Sequence, residues 1–364
     1  MLYLQTGVCR HTTTVDFEKI RAILADWGEP AYRFRQVYEG ATRGLARDFS
    51  ELTTLPAGLR ARLSDEGPLR RLTVSGTRES QDGTIKLGLA TPDGFPLEAV
   101  VMRHRNRITA CLSSQSGCPL ACTFCATGAM GLGRNLTAGE IVEQLLVLAR
   151  LVRDGDGSRI SNVVMMGMGE PFLNYDAVLD ACRTMADPAG YALGARHIAI
   201  STAGWVPGIE RLAAEPLQVK LALSLHAPED ELRSSLMPVT RRFPLAKLMQ
   251  ACRDYRAATG RRVFIEYLLL EGVNDSDADA VRLARLLGAR GGFHVNLIAY
   301  NPTAAGYRGS GARRVEAFAG TLRRRGLDVS YRRSHGGDID AACGQLAVAG
   351  AGARRRELPK AAVR

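Results

Sequence analysis

Apolar residues early in the chain fall at helical spacing. From Asp16, the positions Phe17, Ile20, Leu24 and Trp27 share one face, and Gly28 follows as a stop. Two further short helical patterns run over 32–44 and 56–64, the second with Pro56 suited to a first turn. Residues 1–67 thus read as a small helical accessory unit. Its first stretch is polar and weakly patterned, and gives Cys9 no usable context. The period then changes. Residues 69–77 and 84–90 read as strands divided by the Asp82-Gly83 turn, and Pro92-Asp93-Gly94 introduces another over 97–102. Residues 68–105 are therefore expected to be connecting strands.

A strand over 108–113 opens the main body, expected to span 106–346. Thr137 starts an apolar-periodic helix reaching about residue 152, with Glu140 completing a capping box. Strands over 163–166, 197–201, 219–224, 263–270 and 294–298 follow. Helices are expected over 175–185, after Trp205, after Pro228, after Asp275 and near 313–325. About six βα units predict an α/β fold in which a parallel sheet curls into a partial (β/α)6 barrel, short of the eight units of a closed one. Function is then expected at the C-terminal ends of the strands. No internal repeat is evident, and 347–364, basic and Ala-rich, reads as a disordered tail.

Composition adds a partner class. A net charge of +11 on 364 residues suits a polyanion, nucleic acid above all. Arg33, Arg35, Arg43, Arg47, Arg60 and Arg62 make the helical unit either an RNA-facing surface or an ordinary solvated one. The excess of Arg over Lys reads equally well as coding bias. Eight cysteines in a chain this long are not a disulfide scaffold. No signal peptide or membrane-spanning run is evident, so a cytoplasmic location with no membrane partner is expected.

The cysteines cluster where chemistry is expected. Cys118, Cys122 and Cys125, spaced x3 then x2, can wrap a soft centre from one side. They are one ligand short of four, which favours an iron–sulfur cluster with one open iron. A structural zinc or unligated thiols are the other readings. The turn Met166-Gly167-Met168-Gly169-Glu170-Pro171 follows a strand, where its glycines let the backbone approach a ligand and Glu170 can accept from an amine or a hydroxyl. Ser201-Thr202, Ser224-Leu225-His226 and Asn301-Pro302 occupy equivalent strand ends, so their polar groups converge on one mouth. Cys111 lies just before the cluster. Cys343 sits late, among small residues that leave its sulfur accessible. Cys182 and Cys252 fall in helical patterns and read as packing.

These motifs resemble the RlmN/Cfr family of radical S-adenosylmethionine RNA methyltransferases over nearly the whole chain. The likeness runs from the N-terminal helices through Ser113-Ser114-Gln115-Ser116-Gly117-Cys118, Asn135-Leu136-Thr137, Gly167-Met168-Gly169-Glu170-Pro171 and Ser224-Leu225-His226 to Ala341-Ala342-Cys343-Gly344-Gln345-Leu346. The resemblance implies that Cys118, Cys122 and Cys125 hold a [4Fe–4S] cluster. Gly169, Glu170, Ser201, Ser224, Leu225, His226 and Asn301 would contact S-adenosylmethionine, used twice per turnover. It further implies that Cys343 is methylated, that Cys111 later pairs with it, and that Glu98 accepts a proton. The implied substrate is an adenosine of 23S rRNA, and of tRNA as well, methylated at carbon 2. An electron donor such as flavodoxin or ferredoxin and a monomeric state go with it. Tyr300 looks Cfr-like, so methylation at carbon 8 is the alternative within the family. A metal-stabilised RNA-binding protein without catalysis and a radical enzyme for small molecules are the alternatives outside it.

Overall fold

The computed structural model describes residues 17–288, 292–332 and 335–347. Cys9, the polar stretch before Phe17 and the tail beyond residue 347 lie outside the described residues. The first amphipathic patterns fold as α1 (Phe17–Asp26), α2 (Ala31–Thr42) and α3 (Ala57–Asp65). Their apolar faces close on a small core of their own around Leu24, Val37, Phe49, Leu52 and Leu63. Polar groups fasten this unit to the main body. The Tyr38 hydroxyl donates to Asp187 Oδ2 at 2.8 Å, and Arg153 Nη1 donates to the Gly44 carbonyl at 2.6 Å.

The first strand starts later than its apolar pattern suggests. Leu69 belongs to the helical core, and Arg70 Nη2 donates to the Ala41 carbonyl at 2.6 Å. The N–H groups of Arg71 and Leu72 go to the buried Glu143 carboxylate at 2.7 and 2.8 Å rather than to a strand. Beyond this linker, β1 (Thr73–Glu79), β2 (Ile85–Ala90), β3 (Pro96–His104) and β4 (Arg107–Cys111) form an antiparallel meander.

The chain then makes a small hairpin of β5 (Gln115–Gly117) and β6 (Leu132–Asn135), with the cysteines and α4 (Ala126–Met130) between them. Helix α5 (Ala138–Asp156) follows, and its expected capping box is present: Thr137 Oγ1 accepts from Glu140 N at 3.2 Å, and Glu140 Oε2 from Thr137 N at 2.8 Å. The repeating units come next: β7 (Asn162–Met165), α6 (Tyr175–Ala186), β8 (Ile198–Thr202), α7 (Val206–Ala213) and β9 (Lys220–Ser224). They continue with α8 (Asp230–Leu236), α9 (Leu245–Thr259), β10 (Val263–Leu269), α10 (Asp277–Leu287), β11 (Phe293–Ala299), α11 (Ala312–Arg324) and β12 (Asp328–Arg332).

One ten-stranded sheet results, in the order β1-β2-β3-β4-β7-β8-β9-β10-β11-β12, parallel from β4 onward and open at both ends. The fold is the expected partial parallel barrel with extra strands, with two differences. A seventh parallel strand, β12, is added, because Asp328-Val329-Ser330-Tyr331-Arg332 is a half-exposed edge without an apolar run. A short and a long helix, α8 and α9, follow Pro228 instead of one, broken by a 3-10 turn over Pro238–Arg241. No helix among the described residues is long and apolar enough to cross a membrane.

Candidate active site

The cysteine loop leaves the C-terminal end of β4. It needs left-handed backbone at Ala121, φ 52°, a conformation tolerated outside glycine mainly where surrounding structure enforces it. Its supports come from several elements. Cys118 N donates to the Gly131 carbonyl at 2.8 Å, Thr123 N to the Leu236 carbonyl at 3.0 Å, and Ala126 N to the Gly344 carbonyl at 2.8 Å. Cys118, Cys122 and Cys125 are free, partly buried thiols. Burial pushes all three up, Cys118 to about 12, and neighbouring cysteine charges add to this at Cys118 and Cys122.

Thiols so placed are poor as bare thiolates and well suited to share a cationic centre. Three cysteines on one loop are one donor short of the four that close a structural zinc, and as a donor set they fit a [4Fe–4S] cluster with one iron left open.

The glycines after β7 allow a close approach of two backbone segments. A Cβ on Gly167 would lie 2.7 Å from the Leu112 carbonyl oxygen. One on Gly169, at φ 102°, would lie 2.6 Å from Gln115 Cβ. Both let this turn pack against the segment leading into the cysteines. Glu170 is fully enclosed, its Oε1 accepting from Phe172 N at 3.1 Å and its Oε2 from Ala203 N at 2.7 Å. Burial lifts it to about 7. It clamps the ends of β7 and β8 together, and only its remaining lone pairs are open to a ligand.

Ser201 and Ser224 end β8 and β9 with hydroxyls 3.5 Å apart. Leu225 is fully buried, so only its backbone can serve a ligand. His226 has left-handed backbone, φ 59°. Its Nδ1 accepts from Leu268 N at 3.0 Å, which puts the ring proton on Nε2, and burial lowers its pKa to about 3. Asn301 Nδ2 reaches the Cys343 carbonyl at 3.5 Å.

Cys343 returns to the barrel mouth on the loop after β12. Thr127 Oγ1 donates to the Leu346 carbonyl at 2.5 Å, and Gln345 Nε2 to the Pro302 carbonyl at 3.0 Å. The alternating inward positions of β8 and β9 carry Ala199 and Ala222, so the barrel is hollow. A cavity of about 580 Å³ runs through it, and both Cys111 and Cys343 line it as free thiols. Cys343 is exposed and lines this cavity. Glu98, on β3, is buried on the strand face that carries the cavity-lining Met102 and His104. Lys86 Nζ stands 3.3 Å from its Oε1, and its Oε2 has no partner.

Several supporting residues carry no motif. Arg233 is completely buried and donates to the carbonyls of Ala203 (2.7 Å), Ser224 (3.0 Å) and Leu225 (3.0 Å), tying the ends of β8 and β9. Asn274 Nδ2 donates to the His226 carbonyl at 2.7 Å. Lys86 joins Glu98 to the Cys343 loop by donating to the Asp340 carbonyl at 3.0 Å. Only Glu266 had a legible signal, a lone carboxylate in the apolar run Val263-Phe264-Ile265-Glu266-Tyr267-Leu268-Leu269.

A profile of the Radical SAM superfamily matches residues 112–284, the cysteine loop and most of the parallel units. Fold and loop together thus define a radical S-adenosylmethionine enzyme. A relative from Symbiobacterium thermophilum, named probable dual-specificity RNA methyltransferase RlmN, is 48% identical over 336 residues, covering 91% of this chain and 90% of its own. A protein of the same name from Thermus thermophilus is 49% identical over 319 residues, covering 87% and 89%. The crystal structure of a radical SAM methyltransferase from Sphaerobacter thermophilus superposes with a TM-score of 0.87 at 50% identity, covering 91% and 97%. The chain belongs to the RlmN/Cfr family of radical SAM RNA methyltransferases.

Proposed function

We propose that the enzyme methylates carbon 2 of an adenosine in 23S rRNA, and in tRNA, through a methyl group carried on Cys343. The observation that carries this reading is the return of Cys343, from the far end of the chain, to a cavity it shares with Cys111, on a loop that the Ala126 N–H ties to the cysteine loop through the Gly344 carbonyl. The names of the relatives, dual-specificity RNA methyltransferases, support the substrate class.

The residues divide the work. Burial and the Glu266 charge push the Cys343 thiol up, so it transfers its proton only as it meets an electrophile. The sulfonium of a first S-adenosylmethionine is such an electrophile: Cys343 takes its methyl group, S-adenosylhomocysteine leaves, and the thiol proton passes to solvent. Bound to Cys118, Cys122 and Cys125, a [4Fe–4S] cluster would supply the electron that cleaves a second S-adenosylmethionine to a 5′-deoxyadenosyl radical. Cys343 gives up one hydrogen atom from its methyl group and bonds through that carbon to adenine C2. The adduct loses one electron, for which the group held by Cys118, Cys122 and Cys125 would be the acceptor, and Glu98, with its free Oε2, takes the C2 proton. Cys111 then attacks the Cys343 sulfur. The carbon leaves, takes up a proton as a methyl group, and a disulfide remains for outside reduction. A flavodoxin or ferredoxin is the expected electron donor, and the enzyme acts as a monomer.

Chromatography and mass spectrometry of rRNA nucleosides from cells with and without the gene test the position. Gene-dependent 2-methyladenosine is expected. The 8-methyl isomer would move the enzyme to the other branch of the family.

A further inference from the structure

Glu266 is a buried carboxylate to which this chemistry gives no contact with the reacting base. It lies on β10 at the register of Ser224 on β9 and Asn296 on β11, and it lines the same cavity as Cys343. It is 3% exposed. Asn296 Nδ2 donates to its Oε1 at 2.8 Å, while Asn296 Oδ1 accepts from Ser330 Oγ at 2.5 Å, so the amide is committed and fixes the carboxylate. Arg332 Nη2 stands off at 3.8 Å, and Oε2 has no partner. A buried carboxylate oxygen without a donor is costly, and the cost is recovered if a ligand brings one. Oε2 is thus the one acceptor left free on a carboxylate whose side chain lines the cavity. Around it the walls are Ala199, Ala222, Phe264 and Ile298, suited to the faces of a flat ring.

We infer that Glu266 reads the exocyclic amine of an adenine bound inside the barrel, with Asn296 as its positioning residue. The inference rests on the barrel receiving an adenosine, as proposed above. Two sources offer that amine, the RNA target base and the adenosyl group of S-adenosylmethionine. The target base is favoured by the shared cavity with Cys343.

The test uses the cluster-loaded enzyme under anaerobic conditions. Binding is measured by anisotropy for a hairpin RNA with one unpaired adenosine and for the same RNA with purine riboside, which lacks the amine. Equilibrium dialysis gives the affinity for labelled S-adenosylmethionine. The wild type is expected to prefer the adenosine RNA by about 10- to 100-fold, the worth of one hydrogen bond to a charged group. Glu266→Ala abolishes that preference and leaves S-adenosylmethionine binding unchanged. Weakened S-adenosylmethionine binding with the RNA preference intact assigns the amine to the other source. A folded Glu266→Ala protein of normal iron content that keeps both affinities overturns the inference. Glu266→Gln, equal in shape but with an NH2 donor in place of Oε2, is expected to lose the preference as well if the alanine variant does not fold. Binding is read without turnover, so a wild type that binds selectively but never methylates refutes the proposed function and spares this one.

Discussion

Lys86 connects two parts of the chemistry that are far apart in sequence. It stands 3.3 Å from Glu98 and donates to the backbone three residues before Cys343. Burial raises Glu98, while Lys86, with smaller help from Arg78 and the Ala347 N–H, opposes that rise. Removing the ammonium takes away the largest opposing contribution, so Glu98 keeps its proton to higher pH. In Lys86→Met the acid limb of the methylation pH–rate profile is therefore expected to move upward. The rate below that limb falls about tenfold per unit of displacement. Lys86→Arg keeps the limb near its place, and an unmoved limb in the methionine variant would rule out this role for Lys86. Arg233 is a structural counterpart. At about 1–3 kcal/mol for each buried acceptor left unsatisfied, Arg233→Met is expected to lower denaturant stability by roughly 3 kcal/mol or more. Neither residue could be picked from the sequence. Lys86 sits in a strand where lysine reads as solvent-facing, and Arg233 in Asp230–Leu236 looks like any arginine on a helix surface.

At the scale of elements, the site depends on loops pressed against one another. The Gly169 turn meets the segment before Cys118 with no room for a methyl group. Gly169→Ala is expected to displace that segment, seen as reduced iron content and weaker visible absorbance after reconstitution. The Cys343 loop is held from the other side by the β1–β2 turn. Asp82 Oδ2 accepts from Gly336 N and faces His335 Nδ1, each at 3.1 Å, and Ser80 donates to Asp338. Asp82→Asn should free this loop, so alkylation of Cys343, read by mass spectrometry, becomes several-fold faster while methylation slows. An unchanged alkylation rate would show that the turn does not hold the loop. The central strands and the α5 cap were legible because their apolar runs and capping residues are local signals. Strand β12 was not, since an edge strand needs no continuous apolar run. The hollow interior was also hidden, because Ala199 and Ala222 look like ordinary strand alanines until the sheet curls. The close packing of Gly167 and Gly169 against the segment before Cys118 was hidden too, because it joins parts of the chain far apart in sequence.

Over the whole molecule, the net charge of +11 is only partly available to RNA. In the helical unit, Arg35 pairs with Glu39 at 2.7 Å and Arg47 with Glu51 at 3.2 Å. Arg43 Nε donates to the Gly190 carbonyl of the main body at 3.0 Å, and Arg62 lies over Trp27. Phosphate binding must compete with these contacts. RNA affinity is expected to fall linearly in log–log form with salt, by about tenfold or more between 50 and 200 mM. A flat response would remove the polyanion from the account. The central claim, however, concerns the path of one carbon atom. Cluster-loaded enzyme given methyl-labelled S-adenosylmethionine without RNA is expected to carry label on the peptide containing Cys343. On addition of rRNA that label should pass to carbon 2 of adenosine, and Cys343→Ala, with its iron intact, should show neither. Methylated adenosine formed by the alanine variant, or a Cys343 peptide that never takes up label, would contradict it.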